Sequence, residues 1–331
     1  MSQSFGPHVL DLDLEKTATD IAKKLKEVVL GDLKRKGLVI AISGGIDSAC
    51  SAALAVRAFG PKNVFGIFLP EEDSSDDSLR LGKALAEKLG IDAVTENIAP
   101  ALDAMGCYRR RDEAIRKVFP DYGPGWKNKI ILPQNLLESD RINVYWLVVE
   151  TPDGEQKRAR LPLAEYLQIV AAVNMKQRTR KMFDYYHADR LHYAVTGTPN
   201  RLEYDQGFFV KGGDGLADVK PIAHLYKTQV YRMAAHLGVP AEICNRAPTT
   251  DTYSIPQSQE EFYFCLPYDK MDLVLWAYNH KVSAADVGAS MGYTAEQMER
   301  VFKDIEAKRR MTRYLHASAR LIEPVEEIGK I

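Results

Sequence analysis

Short apolar runs alternate with stretches of helical periodicity along the first part of the chain. Ile21, Leu25, Val28 and Val29 recur at helical spacing and predict a leading helix over residues 20–33, ahead of the turn at Gly37. Leu38-Val39-Ile40-Ala41-Ile42 is an uninterrupted apolar run of strand length, and the Ala-rich stretch 49–58 after it reads as a helix stopped by Gly60-Pro61. Residues 64–69 form a second run, residues 76–89 an amphipathic helix closed by Gly90, and residues 93–98 a third run. Strands alternating with helices imply an α/β fold, a doubly wound parallel sheet flanked by helices. In such a sheet ligands collect at the carboxyl ends of the strands.

The pattern changes over residues 120–162. Residues 142–149 and 156–161 flank Thr151-Pro152-Asp153-Gly154 and predict an inserted β-hairpin. Helical spacing returns over 163–186, residues 193–197 read as a short buried strand, and 226–237 as a helix stopped by Gly238 and Pro240. Val287, Met291, Met298 and Val301 mark a helical C-terminal part, residues 281–331, in which Lys308-Arg309-Arg310 is expected on a solvated face. The expected organisation is a single domain over 1–331 with the segment 120–162 inserted.

Composition narrows the function. The 331 residues are 46% hydrophobic, enough for a large core, and the net charge of -1 supplies no basic field for nucleic acid or an anionic membrane. Small-molecule chemistry is favoured, with no nucleic-acid and no membrane partner. Cys50, Cys107, Cys244 and Cys265 are scattered and show no zinc spacing, so reduced thiols are expected. The N-terminus has no apolar signal-peptide core, and the most apolar stretch, 38–59, is broken by Gly44, Gly45 and Asp47, so a cytoplasmic location is expected.

The chemistry starts at Ser43-Gly44-Gly45-Ile46-Asp47-Ser48, between the first predicted strand and the next helix. Two glycines let backbone amides approach an anion, a helix N-terminus adds positive charge, and Ser43 and Ser48 add hydroxyl donors. Asp47 would repel phosphate oxygens unless a cation lay between, which points to Mg²⁺ and to ATP as the ligand. The loop lacks the Gly-Lys-Ser/Thr ending of the common P-loop and resembles the Ser-Gly-Gly-x-Asp-Ser signature of the ATP pyrophosphatases, which split ATP into AMP and pyrophosphate. A second cluster is Gly197-Thr198-Pro199-Asn200-Arg201-Leu202-Glu203, then Lys211-Gly212-Gly213-Asp214-Gly215, Asp218 and Lys227. Glycines, acids and lysines gathered in this way suit a polyphosphate and metal site.

With the loop, this cluster resembles the NAD synthase family in its ammonia-dependent branch. The stretch Asn174-Met175-Lys176-Gln177-Arg178-Thr179-Arg180, the turn Pro248-Thr249, and Tyr268-Asp269-Lys270-Met271-Asp272 extend the resemblance over nearly the whole chain. It implies an adenine nucleotide alpha hydrolase-like fold, with Asp47 and Glu203 holding Mg²⁺. Ser43, Gly44, Gly45, Asp47, Ser48, Thr198, Lys227 and Thr249 would bind ATP. Arg178, Lys211, Asp214 and Asp218 would meet the acceptor, and Asp47, Glu203, Lys227 and Asp214 would carry the catalysis. The implied partners are deamido-NAD, ATP and ammonia, in a homodimer. The implied reaction adenylates the nicotinate carboxylate of deamido-NAD and amidates it, giving NAD, AMP and pyrophosphate. No segment long enough for a glutaminase precedes the loop, so ammonia is the expected nitrogen source. The alternative is a related ATP pyrophosphatase that amidates another carboxylate, because the 120–162 insertion departs from the family pattern and Thr250 replaces a usual alanine.

Overall fold

The computed structural model describes residues 5–132, 137, 144–246, 252–257, 263, 264 and 266–325. Its central sheet has four strands, β1 (Leu38–Ala41), β2 (Val64–Phe68), β3 (Asp92–Thr95) and β7 (Ala194–Thr196), in the order β3-β2-β1-β7. All its pairings are parallel, with Leu38 opposite Val64 on one side and Ala194 on the other. Alternation along β1 serves both faces. Leu38 and Ile40 join the core beneath α1 (Leu14–Lys26), α2 (Ile46–Phe59) and α3 (Asp76–Leu89), while Val39 packs with Ile67 and Val195 against Leu102, Tyr108 and Ala188 on the opposite face. Those last residues come from α4 (Ala99–Ala104), α5 (Cys107–Val118) and α6 (Leu163–Leu191). The expected parallel, helix-flanked sheet is therefore present.

Helix ends follow local chemistry. Ser75 caps α3 by accepting from the Ser78 amide at 3.2 Å, and Gly90 closes it in the left-handed region, giving the expected bounds. The leading helix starts earlier than expected because Asp13 caps it through the Lys16 amide at 3.0 Å, and it continues into a π-helical turn over Glu27–Asp32. Helix α6 runs past the expected end at residue 186 to Leu191, where His192 takes a φ of 58°.

The expected hairpin is β5 (Trp146–Glu150) against β6 (Gln156–Arg160), with Glu150 opposite Gln156. It is part of a three-stranded antiparallel sheet, because β4 (Lys127–Ile131) pairs along the other edge of β5. Periodicity hid β4 behind Lys127 and Lys129, while the alternate residues Asn128 and Ile130 are buried. Residues 252–257 lie beside it: the Asn128 amide donates to Ser254 Oγ at 2.8 Å, the Ile255 amide to the Asn128 carbonyl at 3.2 Å, and Gln257 Nε2 to the Ile130 carbonyl at 2.6 Å.

After β7 come α7 (Arg201–Gln206), α8 (Lys227–His236), α9 (Ala241–Cys244), α10 (Tyr268–Asn279), α11 (Ala284–Met291) and α12 (Ala295–His316). The C-terminal helices share a core of Leu275, Val287, Met298, Val301 and Ile305, as the spacing predicts. The basic run on α12 is not simply solvated. Lys308 pairs with Asp304 within α12 at 2.7 Å, while Arg309 pairs with Asp205 at 2.5 Å and so ties α12 to α7. Among the described residues no helix is long and apolar enough to cross a membrane. Cys50, Cys107 and Cys244 are free thiols.

Candidate functional site

The loop between β1 and α2 turns on Gly44. Its φ is 76°, and a Cβ there would stand 2.4 Å from the Ser78 carbonyl oxygen, so only glycine fits between the loop and α3. Ser43 and Ser48 brace the loop, with their hydroxyls 3.1 Å apart and Ser48 Oγ donating to the Gly45 carbonyl at 3.0 Å. Asp47, in the first turn of α2, turns back over the strand ends. Its Oδ2 accepts from Lys227 Nζ and its Oδ1 from Asn200 Nδ2 at 3.0 Å.

Asn200 is the joint of the site. Its Oδ1 caps α7 through the amides of Leu202 and Glu203, at 3.0 and 3.2 Å, while its own amide donates to Glu203 Oε2 at 3.1 Å. One residue thus sets Asp47 and Glu203 relative to each other. Lys227, the first residue of α8, is 1% exposed. Burial opposes its charge, but Asp47 and then Glu203 outweigh that cost and hold the ammonium above the ordinary lysine range. Asp272 on α10 fixes this corner from behind, accepting from the Lys227 amide at 3.1 Å and from the amide and hydroxyl of Thr228, both at 2.7 Å. Burial pushes the Asp272 carboxyl up to about 6, against those hydrogen bonds.

Loop, carboxylates and lysine open onto a cavity of about 1060 Å³ at the carboxyl ends of β1, β2 and β7. Ser43, Gly45, Asp47, Ser48, Thr198, Glu203 and Lys227 all line it. Arg178, Lys211 and Asp214 line it too, each with a partner of its own. Arg178 donates to the Lys211 carbonyl at 3.2 Å, Lys211 Nζ to the Tyr314 carbonyl at 2.9 Å, and Asp214 Oδ1 accepts from the Val210 amide at 2.7 Å. Burial holds Asp214 above the ordinary carboxylate range. Asp218 stands apart from the cavity lining, accepting from the Val195 amide at 2.7 Å and the Tyr185 hydroxyl at 3.1 Å. Thr249 lies outside the described residues.

Sequence reasoning missed several charged groups. Arg246 lines the cavity and reaches Ser78 Oγ at 3.2 Å beside the loop. Lys181 and Asp184, a buried pair at 2.8 Å, face it from α6. Lys176 is buried between Glu71, at 3.1 Å, and Asp73, and donates to the Thr252 carbonyl at 3.1 Å. Only Lys176 had a signal, its place inside the Asn174–Arg180 stretch. Among the described residues no three or more His, Cys, Asp or Glu side chains form a metal cage. Asp47 and Glu203 instead offer two carboxylates beside the phosphate loop, the donor set that suits Mg²⁺ when phosphate oxygens complete its shell.

Fold and site together define an α/β protein with a helix-flanked parallel sheet and a glycine loop after its first strand that opens onto a cavity holding paired acids and a lysine. Residues 17–118 and 148–313 match the family described as NAD synthase, and the chain belongs to that family. The unmatched residues 119–147 contain β4 and the first two residues of β5. The chain is 59% identical over 324 residues to an NH(3)-dependent NAD(+) synthetase of Rhizobium meliloti (strain 1021), covering 98% of this chain and 96% of that one. Among solved structures it is similar to an NMN synthetase of Francisella tularensis, with a TM-score of 0.64, 22% identity and coverage of 95% and 100%. It is also similar to an NH3-dependent NAD synthetase of Campylobacter jejuni, with a TM-score of 0.61, 18% identity and coverage of 94% and 100%. At these identities the solved structures speak to the fold alone.

Proposed function

We propose that the chain is an ammonia-dependent NAD synthase, which uses ATP to convert the nicotinate carboxylate of deamido-NAD into the amide of NAD. The observation that carries this for a member of the family is the Asp47–Lys227 pair beside a glycine loop, with Glu203 in electrostatic reach. In the first step a carboxylate oxygen of the acceptor bonds to the α-phosphorus of ATP and pyrophosphate leaves. In the second, ammonia nitrogen bonds to the acyl carbon, AMP leaves, and a proton is lost. The loop amides and the Ser43 and Ser48 hydroxyls hold phosphate oxygens, and Lys227 places its charge against the departing pyrophosphate. When bound, Mg²⁺ would be held by Asp47 and Glu203 and would supply positive charge on the phosphate chain. Asp214, with Oδ1 committed to Val210, is the group we assign to ammonium and to its proton. Arg178 and Lys211 flank the acceptor.

This reading includes a homodimer, supported by Leu163, Leu167, Met182 and Tyr186, large apolar side chains left mostly exposed along α6. It also treats 1–331 as one NAD synthase-like domain with 120–162 inserted, acting in the cytoplasm. The test is incubation of the pure chain with ATP, Mg²⁺, ammonium and deamido-NAD, followed by mass analysis. NAD, AMP and pyrophosphate in equal amounts are expected. ATP consumption with no NAD, while another carboxylate is amidated, would overturn the assignment of the acceptor.

A further inference from the structure

The cavity is lined by two stacked tyrosines, one of which comes from the segment that the family match leaves out. Tyr145, just before β5 and within the unmatched residues 119–147, stacks on Tyr166 near the start of α6. The ring centroids are 4.3 Å apart and the planes 16° from parallel. Both rings line the cavity and both are only partly buried. Behind them is the core under the second sheet, formed by Ile130, Leu147, Val149 and Ile169. The bonds from β4 to residues 252–257 hold that sheet in place.

The cavity follows α6. Tyr166, Val170, Val173, Gln177, Lys181 and Asp184 face it at the three- and four-residue spacing of one helix face. Tyr166 and Asp184 are therefore about 27 Å apart along the helix. The C-terminal half of α6 packs on β1 and β7, next to the phosphate loop, whereas Tyr166 stands at the other end. Phosphates held by the loop would leave the ATP base near Phe68, Leu69 and Leu79, the apolar lining beside that loop. The tyrosine pair is left for the second, longer substrate.

We propose that Tyr145 and Tyr166 form a stacking wall for a heteroaromatic ring of the acceptor dinucleotide. This rests on the function proposed above. A flat, electron-poor heterocycle gains both apolar burial and favourable ring geometry on a tyrosine face. The second sheet then serves acceptor recognition, with Tyr145 a specificity residue for deamido-NAD.

The experiment is steady-state kinetics on the intact chain and on Tyr145→Ala, Tyr145→Leu and Tyr145→Phe, with the KM for deamido-NAD, the KM for ATP and kcat measured separately. Loss of the ring should raise the KM for deamido-NAD about five- to a hundredfold, the range for base–aromatic stacking. The KM for ATP should stay within about twofold, and Tyr145→Phe, which keeps the ring, should behave like the parent. The leucine variant keeps bulk on the wall, so a folding defect in the alanine variant does not decide the outcome. An unchanged KM for deamido-NAD in a folded leucine variant overturns the wall, as does a rise confined to ATP or an equal loss in the phenylalanine variant. If the parent chain itself makes no NAD, the functional reading falls first and takes this inference with it, an outcome visible before any variant is measured.

Discussion

Asp47→Asn tests the centre of the site. Asparagine keeps the shape of the side chain and an oxygen for Asn200, but it removes the charge opposite Lys227. Glu203 then remains as the acidic neighbour of a lysine that is 1% exposed, set against the burial that opposes its charge. Removing one partner of a buried ion pair costs about 3–5 kcal/mol. The Asp47 side chain is 17% exposed, which puts the cost near the lower end, about 3 kcal/mol, or a Tm lower by about 4 °C in a chain of this size. The pH dependence has a definite sign. The folded pKa of Lys227 is raised, so the stability that the pair contributes is complete below the ordinary lysine value of 10.5 and is lost as pH rises through the higher folded value. The gap between parent and variant should therefore be full at neutral pH and close only in strongly alkaline solution. On the role proposed for Asp47 as a Mg²⁺ ligand, turnover should fall at least about a hundredfold, and added Mg²⁺ should restore part of it. Thermal melts across neutral and alkaline pH, with product formation at stepped Mg²⁺, supply both readouts. An unchanged Tm with near-normal activity at limiting Mg²⁺ would refute the reasoning.

Three further outcomes are expected. Gly44→Ala forces a side chain into a φ of 76° and onto the Ser78 carbonyl, which should cost about 1–3 kcal/mol and abolish the rise in Tm that ATP gives the parent. Asp272→Asn removes a carboxylate raised from 3.8 to about 6 by burial, a relief of about 3 kcal/mol at neutral pH. It also leaves one buried amide or hydroxyl donor without its acceptor, at about 1–3 kcal/mol, so net stability should change little. Because the folded pKa is raised, the parent should gain stability relative to this variant as pH falls from 7 through about 6, which chemical denaturation at two pH values would show. Finally, ammonium should support NAD formation with AMP and pyrophosphate as products, and glutamine alone should not; ADP with inorganic phosphate, or robust glutamine-dependent synthesis by the pure chain, would contradict the proposed chemistry.

Local information carried much of the fold. β1, α3 and the hairpin turn were legible because an apolar run, a Ser75 cap with Gly90, and the Thr151–Gly154 turn each act within a few residues. The glycine loop between β1 and α2 was legible for the same reason. β4 was not, since its burial depends on pairing with β5 and on Ser254, more than a hundred residues away. Asp272 and Lys176 stand within the Tyr268–Asp272 and Asn174–Arg180 stretches, but their partners were not legible, because those of Asp272 lie on a different helix and the acids of Lys176 come from the loop after β2. Asp214 and Asp218 were both legible as acids of the second cluster, but only the tertiary structure separates them. One lines the cavity, and the other is bound to β7 through the Val195 amide.

Lys227 shows why such a site has to be assembled from distant parts. It stands at the N-terminus of α8, the positive end of a helix, and is buried there, so both its position and its environment oppose its charge. Three carboxylates from three other helices offset this. Asp47 and Glu203 address the ammonium, and Asp272 accepts from the first amides of the same helix end. No window of local sequence contains that balance, yet it fixes the chemistry available to the site. Because the charge on Lys227 is in place before any nucleotide arrives, the proposed binding of ATP exchanges one anionic neighbour for another rather than burying a new charge. The lysine can then meet the developing charge of pyrophosphate without reorganising, which is the condition under which a fixed cation lowers a barrier rather than merely tightening binding.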